Sequence, residues 1–278
     1  KALRAFPAPT LDGAGIPKNS LDGLRESVTE ADAEIPGLLK KSERLDAMAC
    51  IKRFSPLADR RQIRHFDDLA SCALVPWMAA LHQAGLEGEA EAFVAALGGK
   101  PGNVQRYAEA WYDDLAQLRR EYGSGADEAN SVRKRIIKHI GPPPLYACIL
   151  VGDGDHMGGA LDAITTADGH RAFSSRLAGF AVAVRDVVAE YGGSLISAGG
   201  DDVMAYVPLD SAFACAAAVR TKFVQTIGEI LAKPELQKDL GKIVRPTFSA
   251  GLAMVHHQMP LGAALGLARK AERMAKNE

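Results

Sequence analysis

Apolar residues recur at two different spacings along the chain, and the change falls at Gly141-Pro142-Pro143-Pro144, a stiff element that neither a helix nor a central strand tolerates. Before it the spacing is helical. Residues around Ile51 to Leu81 carry Leu69, Leu74, Trp77, Met78 and Leu81 at helical intervals. A second helix is expected from about Val104 to Tyr122, through Tyr107, Trp111, Leu115 and Leu118. A third, from Glu128 to Ile140, is basic, with Arg133, Lys134, Arg135, Lys138 and His139. Residues 1–40 are rich in Pro and Gly and show no periodicity; they read as the tail of a preceding unit plus loop, with Ser20–Ser27 as an edge segment.

After the prolines the pattern becomes mixed. Leu145–Val151 is a short continuous apolar run, as expected of a strand buried on both faces. An amphipathic helix follows from about His170 to Tyr191, with Phe173, Leu177, Phe180, Val184 and Val188 on one face, and Gly192-Gly193 ends it. Ser194–Ala198 reads as a strand, Gly199–Asp202 as a tight turn and Val203–Val207 as its hairpin partner. A helix from Ser211 to about Leu231, a strand Thr247–Val255 and a last helix opened by Pro260 and running through Lys276 complete the series. The order β-α-β-β-α-β-α predicts an α+β fold: a ferredoxin-like βαββαβ core with one helix appended, behind a mainly helical domain. The expected organisation is a tail at 1–40, a helical domain at 41–142 and the mixed domain at 143–278. No internal repeat is evident.

With 278 residues there is room for two ordinary cores. The formal net charge of −1 gives no overall pull toward nucleic acid or a membrane, so any such contact must come from a local patch. No apolar run is long enough to span a bilayer, and Lys1–Pro7 lacks both an initiator Met and a signal-peptide pattern. The expectation is a cytoplasmic protein, and a piece of something longer. Cys50, Cys72, Cys148 and Cys215 form no C-x-x-C pair, so no zinc is expected and all four read as small buried hydrophobes.

The chemistry concentrates at two acidic points, Asp153 and the pair Asp201-Asp202. In a βαββ topology the first strand lies beside the hairpin, so Asp153 at its end faces the hairpin tip. Carboxylates gathered in this way repel one another unless a cation lies between them. Short Asp side chains favour Mg²⁺ or Mn²⁺, completed by waters and substrate phosphates. Two such ions about 3.5–4 Å apart clamp an attacking hydroxyl and the oxygens of a departing pyrophosphate. Gly199 and Gly200 permit positive φ and leave room for a nucleotide beside the backbone. A Gly/Asp-rich turn is by itself an ordinary hairpin connection; its conjunction with Asp153-Gly154-Asp155 is what points to metal and triphosphate. Asp155–Gly159 is expected to start a turn or helix N-terminus suited to phosphate. There Asp155 is either the cap or a support for the ligands, the cap being favoured, and His156 is an exposed loop residue. Lys270 and Lys276 lie on the last helix, and Lys276 is the better placed to reach a triphosphate as a point charge.

As they stand, these residues resemble the palm shared by diguanylate cyclases and the large subunit of type III CRISPR effector complexes. Gly152–Gly158 is similar to the CRISPR family's D-G-D-x-M-G, where a diguanylate cyclase has D-x-D-x-F-K. The hairpin reads Gly199-Gly200-Asp201-Asp202-Val203-Met204-Ala205, not Gly-Gly-Asp-Glu-Phe. Lys18–Val28 and Ser42–Leu45, preceding Ile51–Phe54, look most like the Cmr-type branch. The resemblance implies a first palm-like domain of which only the tail is here, a helical inter-palm domain and a complete second palm. It also implies conversion of ATP into cyclic oligoadenylate messengers for antiviral defence when target RNA binds a crRNA-guided complex of several subunits. Carried over by position, Asp153 and Asp202 are principal metal ligands, with the Gly154 carbonyl and Asp201 close by. Gly154, Asp155, Gly158, Gly199, Gly200 and Lys276 are candidate nucleotide contacts. Ser249–Ala253 matches the strand after the second palm helix, and Ala268–Ala271 through Ala275-Lys276 the closing helix. Two departures stand out. None of the seven histidines precedes an Asp, so no HD nuclease is expected in this chain, and Leu45–Cys50 stands where that family carries zinc-binding cysteine pairs. The chain stops at Glu278 without the family's C-terminal helical bundle. A stand-alone nucleotide cyclase with another product, and a non-catalytic scaffold binding nucleotide and guide RNA, remain as alternatives.

Overall fold

The computed structural model describes residues 17, 20, 26–29, 39, 43–58 and 67–276. Most of the expected tail at 1–40, including Lys18, Asn19 and residues 21–25, lies outside the described residues, as does Glu278. The chain divides into two compact units, residues 1–65 and 66–278. In the first, the Asp46 carboxylate accepts the Ala49 N–H at 2.7 Å and starts helix α1 (Ala47–Ala58), satisfying one of the donors a helix leaves open at its N-terminus.

The second unit opens with α2 (Leu69–Gln83), capped by Asp68, which accepts the Ser71 N–H at 2.7 Å. It continues through α3 (Glu87–Ala96), α4 (Ala108–Tyr112), α5 (Leu115–Tyr122) and α6 (Ala126–Ile140). Their apolar faces close on a core of Leu74, Trp77, Phe93, Trp111, Leu118 and Ile136, with the Trp111 ring stacked on Phe93 at 3.8 Å between centroids. The expected continuous helix from Val104 to Tyr122 is instead a 3-10 turn followed by α4 and α5, broken at Asp113, whose backbone is extended. Two interactions make the break. Asp114 caps α5 by accepting the Gln117 N–H at 2.7 Å. The buried Arg133 guanidinium donates to the Ala110, Trp111 and Asp113 carbonyls, supplying donors that a continuing helix would have provided. Spacing alone does not reveal an arginine that arrives from another helix.

The mixed region forms one four-stranded antiparallel sheet. Its elements are β1 (Tyr146–Asp155), α7 (Met157–Asp162), α8 (Ala167–Glu190), β2 (Ser194–Gly199), β3 (Asp202–Pro208), α9 (Ala212–Leu231), β4 (Thr247–His256) and α10 (Leu261–Lys276). The strand order β2-β3-β1-β4 is that of a ferredoxin-like βαββαβ core with α10 appended. As the apolar run at its start requires, β1 is buried on both faces. Leu150 joins Phe173, Phe180, Val184, Val219 and Phe223 on the side of α8 and α9. Ile149 joins Cys72, Ala73, Ala264 and Ala268 on the side of α2 and α10. The second helical cover is therefore shared: α2, from the helical segment, seals the same sheet face as α10. Burial pushes the Cys72 thiol up to about 12 and the Cys215 thiol up to about 11, as befits inert core positions. Among the described residues, no helix is long and apolar enough to cross a membrane.

Helix α10 approaches the sheet most closely at Gly251. A Cβ there would lie 2.2 Å from the Glu272 nitrogen and 2.4 Å from the Ala268 carbonyl oxygen, both backbone atoms that cannot rotate away. Gly251→Ala is therefore expected to cost about 1–3 kcal/mol by pushing α10 off β4. Gly266→Ala, on the open side of the same helix, is expected to stabilise by about 0.5–1 kcal/mol through helix propensity. Denaturant unfolding of the two variants checks the opposite signs.

Candidate active site

The site is assembled by register. Pairing of Gly152 with Val203 across β1 and β3, and of Gly199 with Asp202 across the hairpin, sets Asp153 beside Asp202 at one end of the sheet. The turn depends on Gly200, whose φ of +71° is a conformation L side chains rarely adopt. Gly154 is needed for a different reason. A Cβ at that position would stand 2.8 Å from the Asp201 Cβ, 2.9 Å from its Oδ2 and 2.8 Å from the Met157 Cγ. The missing side chain lets the hairpin carboxylates close on the end of β1. Space around Gly199 and Gly158 is open. The candidates Asp153, Asp201, Asp202 and Gly154 are thus brought together.

Lys276 reaches the same point from the last turn of α10. Its ammonium donates to the Asp153 carboxylate and pairs with Glu272 one turn earlier at 2.9 Å. Glu272 is nearly fully buried and was not among the residues expected to matter. Its signal was the Glu-x-x-x-Lys spacing on the sheet-facing side of the last helix. Lys270 does not line the cleft that Lys276 lines.

The charges are unevenly shared. Burial opposes ionisation of Asp153, but hydrogen bonds from Asp202 and Lys276, with the Lys276 charge, outweigh it and hold this carboxyl below its ordinary range. The hydrogen bond that Asp202 makes to Asp153, then burial, then the negative charges of Asp153 and Asp201, push Asp202 up to about 6. Asp201 is raised chiefly by burial, with the Asp153 charge adding to it. Lys276 is raised because its hydrogen bonds to Asp153 and Glu272 overcome the cost of burial. One ammonium does not balance three clustered aspartates, and Asp202 is the one whose ionisation is most strongly opposed.

This donor set fits a hard divalent cation. Among the described residues no three His, Cys, Asp or Glu side chains form a ready-made metal-holding group. The Lys276 ammonium already stands as a cation on Asp153.

Asp155 differs from its expected role. It does not cap α7, which begins at His156 with no side-chain cap. Its Oδ2 instead accepts the hydroxyl protons of Thr247 at 2.9 Å and Ser249 at 2.8 Å on β4. The reason is the pleat: Asp155 pairs with Thr247 and Asp153 with Ser249, so the carboxylate finds two hydroxyls on its own sheet face before any helical N–H. His156 is exposed, as expected, at a left-handed φ of 61°. Asp155, His156, Thr247, Ser249 and Lys276 border a cleft of about 440 Å³ beside the aspartates.

The sheet order and the clustered aspartates define the second half of the chain as a palm domain of the nucleotide cyclase and polymerase type. Residues 146–278 match the family described as Cas10/Cmr2, second palm domain. A curated relative, the CRISPR system Cmr subunit Cmr2 of Pyrococcus furiosus, is 34% identical over an alignment covering 48% of this chain. The chain spans only 17% of that relative's length. Among solved structures, a Csm1-Csm4 cassette in complex with AMPPNP aligns at 18% identity and a TM-score of 0.37, covering 48% of this chain and 19% of that one. The guanylyl cyclase Cya2 aligns at 13% identity and a TM-score of 0.35, covering 46% of this chain and 70% of its own. The family match agrees with the resemblance read from Gly152–Gly158 and Gly199–Ala205.

A stability signature follows from Asp202. Because its folded value lies above its unfolded one, its contribution to stability is fully present below about pH 4 and is lost as pH rises through about 6. Metal-free protein is thus expected to lose stability across that window. Asp202→Asn, whose amide N–H replaces the acid proton facing Asp153, flattens the loss. The variant gains on the order of 1 kcal/mol at neutral pH, a figure discounted for the solvent exposure of the site. Thermal denaturation in chelator from pH 4 to 7 measures this.

Proposed function

We propose that this chain is the nucleotidyl-transfer part of a type III, Cmr-like CRISPR subunit, and that it joins ATP into cyclic oligoadenylate when its RNA-guided complex holds target RNA. The observation that carries the reading is the convergence of Asp153, Asp201 and Asp202 at the hairpin tip with Lys276 on Asp153. The family match and the Cmr2 relative support the setting; the other subunits of the complex, crRNA and target RNA are the partners it entails.

Asp153 and Asp202, with the Gly154 carbonyl and Asp201 beside them, are the residues that would hold Mg²⁺ or Mn²⁺. Bound divalent ions supply charge stabilisation for the attacking hydroxyl and the departing pyrophosphate. The side chains prepare that step. With such an ion held there, Asp202 would be ionised and Asp153 would no longer depend on the Lys276 ammonium for its charge balance. Lys276, still oriented by Glu272, is then free to meet the triphosphate as a point charge. Gly199, with open space around it, and Gly200 leave the hairpin backbone accessible to the nucleotide, and Gly158 leaves the first turn of α7 bare.

The test is to incubate the assembled complex with ATP and Mg²⁺ or Mn²⁺, with and without target RNA. Oligoadenylate is expected only with RNA, and a loss of at least 100-fold in Asp201→Ala/Asp202→Ala, given the magnitude of lost charge stabilisation in such sites. Equal product without RNA would point to a stand-alone cyclase. No product from any nucleotide, in a complex that still binds RNA, would leave a scaffold.

A further inference from the structure

The cleft beside the aspartates has a polarity that its residue names do not reveal. Thr247 and Ser249 are both donor and acceptor in general, but here each hydroxyl proton is committed to the same oxygen, Asp155 Oδ2, at 2.9 and 2.8 Å. What the two hydroxyls have left to offer is lone pairs. Asp155 itself is acceptor-only, and its Oδ1 is buried without a partner. The Thr247–Ser249 side of the wall is therefore lined by acceptors, and of the two donor-bearing side chains that border the cleft, His156 and Lys276, Lys276 is held by Asp153 and Glu272.

Such a wall repels phosphate, whose oxygens are also acceptors. It is poorly made for a divalent cation too, because Asp155 is the single carboxylate there besides Asp153 and its Oδ2 already takes two hydrogen bonds. It suits a neutral group that carries its own proton. Resting on the nucleotidyl-transfer reading above, we infer that the Thr247–Ser249 wall receives the nucleoside end of the bound nucleotide and takes a hydrogen bond from an O–H or N–H donor on it. The triphosphate is directed the other way, to the hairpin aspartates and Lys276. Two groups of ATP have this chemistry, a ribose hydroxyl and the exocyclic amine of adenine. Asp155 is a positioning residue in this scheme: it touches no substrate and fixes which way the two hydroxyls point.

Equilibrium titration of the complex with ATP and Mn²⁺, which needs no turnover, tests the inference separately from the reaction. Thr247→Val and Ser249→Ala are each expected to weaken ATP binding about 5-fold, the worth of one neutral hydrogen bond. Thr247→Ser, which keeps the hydroxyl, retains the affinity of the native protein, and thermal melts confirm that each variant is folded. The analogues identify the donor. 2′-DeoxyATP lacks one ribose hydroxyl and purine riboside triphosphate lacks the amine. The analogue missing the recognised group binds native protein about 5-fold more weakly than ATP, and loses nothing further in Thr247→Val or Ser249→Ala. Unchanged ATP affinity in both variants overturns the inference while leaving the proposed reaction standing, as does an equal loss of Mn²⁺ binding without nucleotide, which would mark a cation site. Failure of native protein to bind ATP at all removes both.

Discussion

Three aspartates held at one end of an antiparallel sheet repel one another, and much of this end of the domain reads as a means of holding them there. Antiparallel register places Asp153 against Asp202. The absent side chain of Gly154 admits Asp201, and the positive φ of Gly200 turns the chain between them. The opposing charge comes from the far end of the chain, where Lys276 lies on Asp153 and is itself oriented by the buried Glu272. The remaining deficit falls on Asp202, whose carboxyl is pushed up to about 6. An arrangement that is electrostatically short of a cation has a built-in affinity for one, and this is the physical link between the fold and the chemistry proposed for it.

That link explains why α10 matters beyond its role as a cover. The helix packs backbone to backbone on β4 at Gly251, a contact too close for any Cβ. Its position therefore sets the height at which Lys276 meets the acidic group: the α10 backbone that touches Gly251 of β4 is at Ala268 and Glu272, and Lys276 follows one turn later. The same economy operates at the end of β1. Asp155 ties β1 to β4 through Thr247 and Ser249, and in doing so decides the hydrogen-bonding polarity of the cleft wall.

Much of the architecture was legible without coordinates. The apolar run after the prolines, the two amphipathic helices, the Gly199–Asp202 turn and the last strand and helix follow directly from periodicity, because each element buries one regular face. The limits were local. The helix expected over Val104–Tyr122 is broken because Arg133 arrives from α6 to serve the carbonyls at its break. Asp155 was favoured as a cap because capping is the commonest local use of an Asp before a helix, whereas hydroxyls ninety-odd positions away in the chain were better placed in space. Glu272 escaped notice because a Glu-x-x-x-Lys pair ordinarily lies on a solvated face.

By itself, the sequence determined the order of elements, the ferredoxin-like topology and the identity of the acidic residues, since these depend on periodicity and on short motifs whose spacing is local. Only the tertiary structure decided how the charges are shared. The raised Asp202 carboxyl, the ion pair of Lys276 with Asp153, the redirected Asp155 and the part of α2 in covering the sheet all arise between residues distant along the chain. Their energies depend on separation and burial, which spacing along a sequence does not encode.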